Sequence, residues 1–177
     1  MTRPFDVAAH LEALRRYARV LVRDGPDADD LVQGALLRAL ERLDQWREDG
    51  NLRMWLMSIL HNHFVDQTRA QAAARSRDGA WADLAPDVTL SQGHDSVRLA
   101  QVRAALLALP AEQREALHLV ALEGFSVAEA AAVLDIPPGT VMSRVGRARA
   151  ALRQFEEGGV GPPRLRLVAD DPDRSRR

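Results

Sequence analysis

The clearest chemistry in this chain lies in the arginines between Ser126 and Arg153. In SVAEAAAVLDIPPGTVMSRVGRARAALR, Arg144, Arg147, Arg149 and Arg153 follow one another with no acidic residue after Asp135. Guanidinium groups pair with phosphates and with base edges, so such a run suits a polyanion. At about 100° per residue, Val141, Val145, Ala148 and Leu152 form one apolar stripe. Ser143, Gly146, Arg147 and Ala150 fall opposite it, with Arg144 and Arg149 at the flanks. Small residues in the middle permit close approach to a groove. Arg147 can then reach a base edge while the flanking arginines hold phosphates.

That face needs a support. Ser126 and Glu129 have the spacing of a capping box, which opens a first helix. Ile136-Pro137-Pro138-Gly139 ends that helix and starts the next, because proline fixes φ and suits a first helical turn. Two short helices around a sharp turn make a helix-turn-helix, whose second helix fits the DNA major groove. Taken alone, the second helix also reads as a surface helix with solvated arginines. The capping box, the turn and the one-sided charge together favour the groove reader.

Composition narrows the classes. A length of 177 residues allows one domain or two small ones, and 46% hydrophobic residues suffice for globular cores. All 24 basic residues are arginine, a bias of composition before it is a functional choice. The absence of cysteine excludes disulfides and thiolate metal sites. No apolar run approaches a membrane span and no signal-peptide core opens the chain, so a cytoplasmic protein without membrane insertion is expected. The net charge of −1 hides a segregation. Residues 139–153 carry four arginines and no acid, whereas residues 27–49 carry seven acids against Arg38, Arg42 and Arg47. One end suits DNA and the other a basic protein surface, the pattern of an adaptor.

The periodicity predicts an all-α chain with two small helical domains joined by a flexible linker, the C-terminal one a helix-turn-helix without a winged arm. A first helix over 6–23 has Ala8, Leu11, Leu14, Ala18, Leu21 and Val22 on its core face. Gly25-Pro26 breaks it, and Asp27 caps a second helix over 28–43 with Leu31, Val32, Ala35, Leu36, Ala39, Leu40 and Leu43 as its apolar residues. A polar loop with Trp46 and Gly50 leads to a third helix over 52–70, packing through Leu52, Trp55, Leu56, Ile59, Leu60 and Phe64. Residues 71–95 lose periodicity and read as the linker. The second domain, 96–157, begins with a helix over 96–108. Pro110 opens a helix ending at Gly124, and the helix-turn-helix follows. The tail from 158 reads as disordered.

These residues resemble the extracytoplasmic-function group of RNA polymerase sigma factors, small two-domain members of the sigma-70 family. DADDLVQGALLRALERL (27–43) resembles the polymerase-binding helix, GNLRMWLMSILHNHFVDQTR (50–69) the promoter-melting and −10-reading segment, and residues 109–153 the −35-reading domain. The GNLRMWL segment is closer to the general-stress subgroup. The resemblance implies core-polymerase contacts from Asp29, Asp30, Gln33 and Arg38. It implies −35 contacts from Thr140, Ser143, Arg144, Arg147 and Arg149, and −10 contacts from Trp46, Asn51, Arg53, Asn62, His63 and Arg69. Two positions depart from the family pattern. Met142 stands where a basic residue is usual, and Gly34 where an acid is common, at a helix cost of ~1 kcal/mol against alanine.

Plainer readings stand beside these. Asp30 and Gln33 share a face that is also a solvated face. Trp55 reads as core, Trp46 is open, and Asn51 is equally an ordinary turn residue. His61-Asn62-His63 spells a nuclease-like tripeptide, but its histidines point about 200° apart on one helix and cannot hold one metal. No constellation of nucleophile, base and orienter appears, so neither enzymatic activity nor a cofactor is expected. The expected protein is a dissociable initiation factor whose partners are core polymerase, promoter DNA and an anti-sigma factor. Its domains are expected to move independently. The alternative is a sigma-like decoy that sequesters an anti-sigma factor without touching DNA.

Overall fold

The computed structural model describes residues 6–22, 25–47, 50–78 and 97–158. Among these there is no strand, and the helices run in order as α1 (Leu11–Val22), α2 (Gly25–Glu41), α3 (Leu52–Asp78), α4 (Val97–Ala108), α5 (Ala111–Leu117), α6 (Val127–Leu134) and α7 (Pro138–Gly158). Short 3-10 turns precede α1 (Ala8–His10) and follow α2 (Leu43–Gln45), and a π-turn over His118–Leu122 extends α5.

The N-terminal unit is a three-helix bundle. Leu14, Tyr17, Ala18 and Leu21 of α1 pack with Ala28, Leu31, Val32, Ala35 and Ala39 of α2 and with Leu52, Leu56, Met57, Ile59 and Leu60 of α3. Ala8 is exposed, and the chain's single tyrosine, fully buried, takes a central place in the core. Gly25 and Pro26 do not stand outside α2 but form its first turn, which proline's fixed φ suits. Leu40 and Leu43, two of the apolar residues of the expected second helix, are 56% and 40% exposed, and Leu37 is 63% exposed. The core stripe of α2 follows its small residues instead.

The third helix continues eight residues past the expected boundary at 70. QTRAQAAARSRD lacks apolar periodicity but is rich in alanine, glutamine and arginine, all strong helix formers. The rest of the expected linker, 79–96, and the tail from 159 lie outside the described residues.

In the C-terminal unit, Leu109, Ala116, Leu117, Leu119, Phe125, Ala130, Val133, Leu134, Val141, Val145 and Ala148 are buried. Gly124 turns the chain with φ +71°, and Asp135 ends α6 in the left-handed region at φ 51°, a conformation aspartate tolerates better than most residues. The Asp135 amide donates to the Ala131 carbonyl, satisfying an end of α6.

The two units are docked, with α1 packed on α5 and α3 on α6. Their buried residues form one continuous cluster. The expected two helical units are present and are in contact with each other in this structure.

Candidate nucleic-acid interface

The helix-turn-helix forms as its sequence dictates. Ser126 Oγ accepts from the Glu129 amide at 3.2 Å, and the Ser126 amide donates to Glu129 Oε2 at 2.8 Å. Hydrogen bonds from Ser126, first its backbone and then its side chain, hold the Glu129 carboxyl below its ordinary value, and the Asn51 side chain adds to them. α7 starts at Pro138, with the Thr140 amide donating to the Pro137 carbonyl at 2.9 Å. Val141, Val145 and Ala148 are buried beneath it, and Leu152 is half-buried.

Ser143, Gly146, Arg147, Arg149 and Ala150 are all exposed, and Thr140 is half-buried at the start of the helix. Arg147 Nη2 donates to Ser143 Oγ at 2.6 Å, so the two groups at the centre of the face are already aligned with each other. Met142 is 63% exposed beside them. Arg144 departs from the free phosphate contact expected of it. Its side chain is only 19% exposed, and Nη2 lies 3.0 Å from Glu112 Oε2 of α5.

The N-terminal residues divide. Asn62 and Arg69 are exposed on α3. His63 is buried, so as an expected DNA contact it is corrected. Its ring packs against Gly34 of α2 and lies 3.3 Å from Gln67 Nε2. His61 is buried on a different side, with Nδ1 3.1 Å from the Tyr17 hydroxyl. Trp46 is half-buried, its ring centroid 5.4 Å from that of Trp55 at a 46° tilt. Trp55 is likewise half-buried rather than enclosed.

Asn51 and Arg53 open α3. Asn51 Oδ1 accepts from the Met54 amide at 3.1 Å, an N-cap, which makes good its reading as a local structural residue. Arg53 reaches across to the other unit. Its guanidinium pairs with Glu123 and sits 5.1 Å from the centroid of the Phe125 ring.

Glu123 is the residue that sequence reading missed. Its side chain is fully buried between the units. Arg16 of α1 donates to both of its oxygens, from Nε at 3.1 Å and Nη2 at 3.2 Å. Burial alone would raise the Glu123 pKa, but the Arg16 and Arg53 hydrogen bonds more than offset it and hold the carboxyl below its ordinary value. Nearby, Tyr17 stacks on His118 with centroids 5.6 Å apart, and burial lowers the His118 pKa to about 4. The buried Arg114 donates to the Val20 carbonyl near the end of α1 at 3.0 Å and to the Leu109 carbonyl at 2.9 Å. Nothing local marks these residues, because Arg16 and Glu123 are 107 positions apart.

On α2, Asp29, Asp30 and Gln33 are exposed on the same side of the bundle surface as Leu37 and Leu40. Arg15 Nε lies 3.6 Å from Asp29 Oδ1, and Arg38 Nη1 donates to Asp66 Oδ2 at 2.9 Å. Among the described residues no helix is long and apolar enough to cross a membrane.

Comparison with known proteins agrees with this geometry. Residues 7–61 match the family described as the Sigma2 domain of PhyR, and residues 99–152 match Sigma-70 region 4. The ECF RNA polymerase sigma factor EcfG of Rhodopseudomonas palustris is 40% identical over 148 residues, covering 83% of this chain and 81% of that protein. This chain belongs to the ECF family of RNA polymerase sigma factors. Among solved structures, the sigma factor RpoE in complex with the anti-sigma factor NepR from Bartonella quintana superposes with a TM-score of 0.71. It is 34% identical, over 85% of this chain and 94% of that one. The PhyRSL–NepR complex from Sphingomonas sp. Fr1 has a TM-score of 0.60 at 27% identity, over 93% and 92% of the two chains. Within this ECF sigma factor, the region 4 match contains the helix-turn-helix described above, and the Sigma2 match falls within the three-helix bundle.

Proposed function

We propose that this sigma factor binds core RNA polymerase in the cytoplasm and directs it to promoters, in a stress response and under the control of an anti-sigma protein. The observation that carries this reading is α7. A buried apolar stripe fixes its orientation, Ser143 and Arg147 stand exposed on the opposite face, and Arg149 is exposed at the flank. Arg147 reads a base of the −35 duplex, while Arg149 and Thr140 hold phosphates and sugar. The exposed Asp29, Asp30 and Gln33, with Leu37 and Leu40, form the polymerase-facing surface, where acids meet a basic partner and leucines supply apolar area. Asn51, Arg53 and Trp46 engage the −10 strand, Asn51 by pairing with a base edge and Trp46 by offering a stacking face. Strand opening draws on binding energy to displaced bases, so no catalytic residue takes part. The solved relatives held by NepR support an anti-sigma partner for this chain.

A second reading has its own observation. Residues 7–61 match the Sigma2 domain of PhyR, so a decoy that captures an anti-sigma protein would share this part of the architecture. The exposed arginine face of α7 favours the sigma factor, since a decoy has no use for it. Run-off transcription with core polymerase on a promoter library, with and without this protein, separates the two. Promoter-selective transcripts that require the protein support the first reading. Absence of transcripts, together with tight capture of an anti-sigma protein, replaces it with the second.

A further inference from the structure

We propose that Glu123 is a latch that closes region 4 onto region 2 and, in doing so, withholds Arg53 from promoter DNA. This deepens the sigma-factor reading, because it rests on Arg53 serving the −10 strand once released.

The geometry is specific. Glu123 comes from the turn after α5, yet its carboxylate is fully buried and receives both Arg16 and Arg53, two residues of the other unit. A carboxylate held by two guanidinium groups satisfies its lone pairs with charge-assisted hydrogen bonds, the strong kind. The arginines remain partly open to water, with side chains 51% and 29% exposed. Separation of the units therefore returns the two arginines to solvent, while the Glu123 carboxylate keeps His118 Nε2 at 3.2 Å within its own unit, so the contact can open as well as close.

Closure also covers more than one reading group. Arg53 is turned onto Phe125, and Asn51 is drawn toward Glu129 at the start of α6. In the closed state the −10 reader thus faces the helix-turn-helix rather than DNA. Promoter DNA would compete with Glu123 for Arg53, so its binding free energy draws the population toward the open form. The remaining contacts between the units bias closure but do not engage a DNA-reading group in this way.

The chain has no cysteine, so two labels can be placed without background. Arg19→Cys on α1 and Ala151→Cys on α7 are exposed positions in the two units. Distances between spin labels at these sites, measured on the full chain, should be short and narrowly distributed in the parent. Glu123→Gln should raise the ratio of open to closed distances about tenfold, because the ion pair is lost while the shape is kept. Binding of a forked −10 DNA by the free protein should rise in step. Arg16→Gln, at a half-exposed side chain that the fold tolerates, should shift both readings the same way and decides the matter if Glu123→Gln fails to fold. A parent-like distance distribution in both folded variants overturns the latch. Wider distances with unchanged forked-DNA binding overturn its masking of Arg53. Wider distances and stronger forked-DNA binding support the latch even if the parent, given core polymerase, yields no transcript; that result counts against the sigma-factor reading alone.

Discussion

Gly34 and His63 occupy one another's space. A Cβ built on Gly34 would lie 2.9 Å from Cδ2 of the His63 ring and closer still to Nε2. The glycine that departs from the family pattern in α2 is thus the hollow that admits a buried histidine from α3. Gly34→Ala gains helix propensity but overpacks this contact, so a net loss of about 1–3 kcal/mol is expected in chemical denaturation. The same substitution in a His63→Ala background should be neutral or stabilising. Additive effects of the two changes would show that the ring moves aside freely.

Arg147 lies opposite the apolar stripe of α7 and Arg149 at its flank, both exposed, and the two are assigned different tasks. Arg147→Ala should cost about 1–3 kcal/mol and relax preference at one −35 base pair. Arg149→Ala should weaken all sites about equally and reduce the salt slope. Met142→Arg should raise affinity by adding a cation at a 63% exposed position. Binding-site selection with the polymerase holoenzyme measures all three, and identical base profiles for the two alanine variants would contradict the face assignment.

Ser126 and Glu129 close the capping box of α6, and this box holds the entry to the whole DNA-reading unit. Ser126→Ala should cost about 1 kcal/mol, with Ser126→Asp close to neutral. Equal melting temperatures for parent and alanine variant would show that the cap contributes nothing beyond water.

Stability should peak near neutral pH. Burial lowers the pKa values of His61 and His118 from 6.5 to about 4, so the unfolded chain takes up these two protons first and stability falls as pH drops through 6.5 toward 4. Burial raises Glu115 from 4.5 to about 7, the opposite sign, so its contribution falls as pH rises from 4.5 to 7. Two histidines outweigh one glutamate on the acid side. Glu115→Gln removes the cost of a buried charge, so its advantage over the parent should be greatest above pH 7 and vanish near pH 4.5. An advantage that does not vary with pH would show that Glu115 ionises normally in the folded protein. Urea denaturation across this range reads both effects.

Local signals were enough for the sequence to determine the helices and the α7 face by itself. The capping box, the Pro-Pro turn and the 3.6-residue stripe act within a few residues of one another, so Val141, Val145 and Ala148 could be placed inside and Arg147 outside from spacing alone. The order of the family motifs likewise placed region 2 before region 4. The tertiary structure decided what spacing cannot carry. Periodicity names an apolar face but not which neighbour fills it, so Leu40 and Leu43 turned outward while Tyr17 took the core. It treats alanine-rich chain as structureless when propensity alone sustains a helix, as at the end of α3. It also assigns charged residues to solvent by default. Arg16, Arg53 and Glu123 meet only because two units far apart in sequence close on one another, and a buried carboxylate finds its partners by that closure rather than by any pattern along the chain.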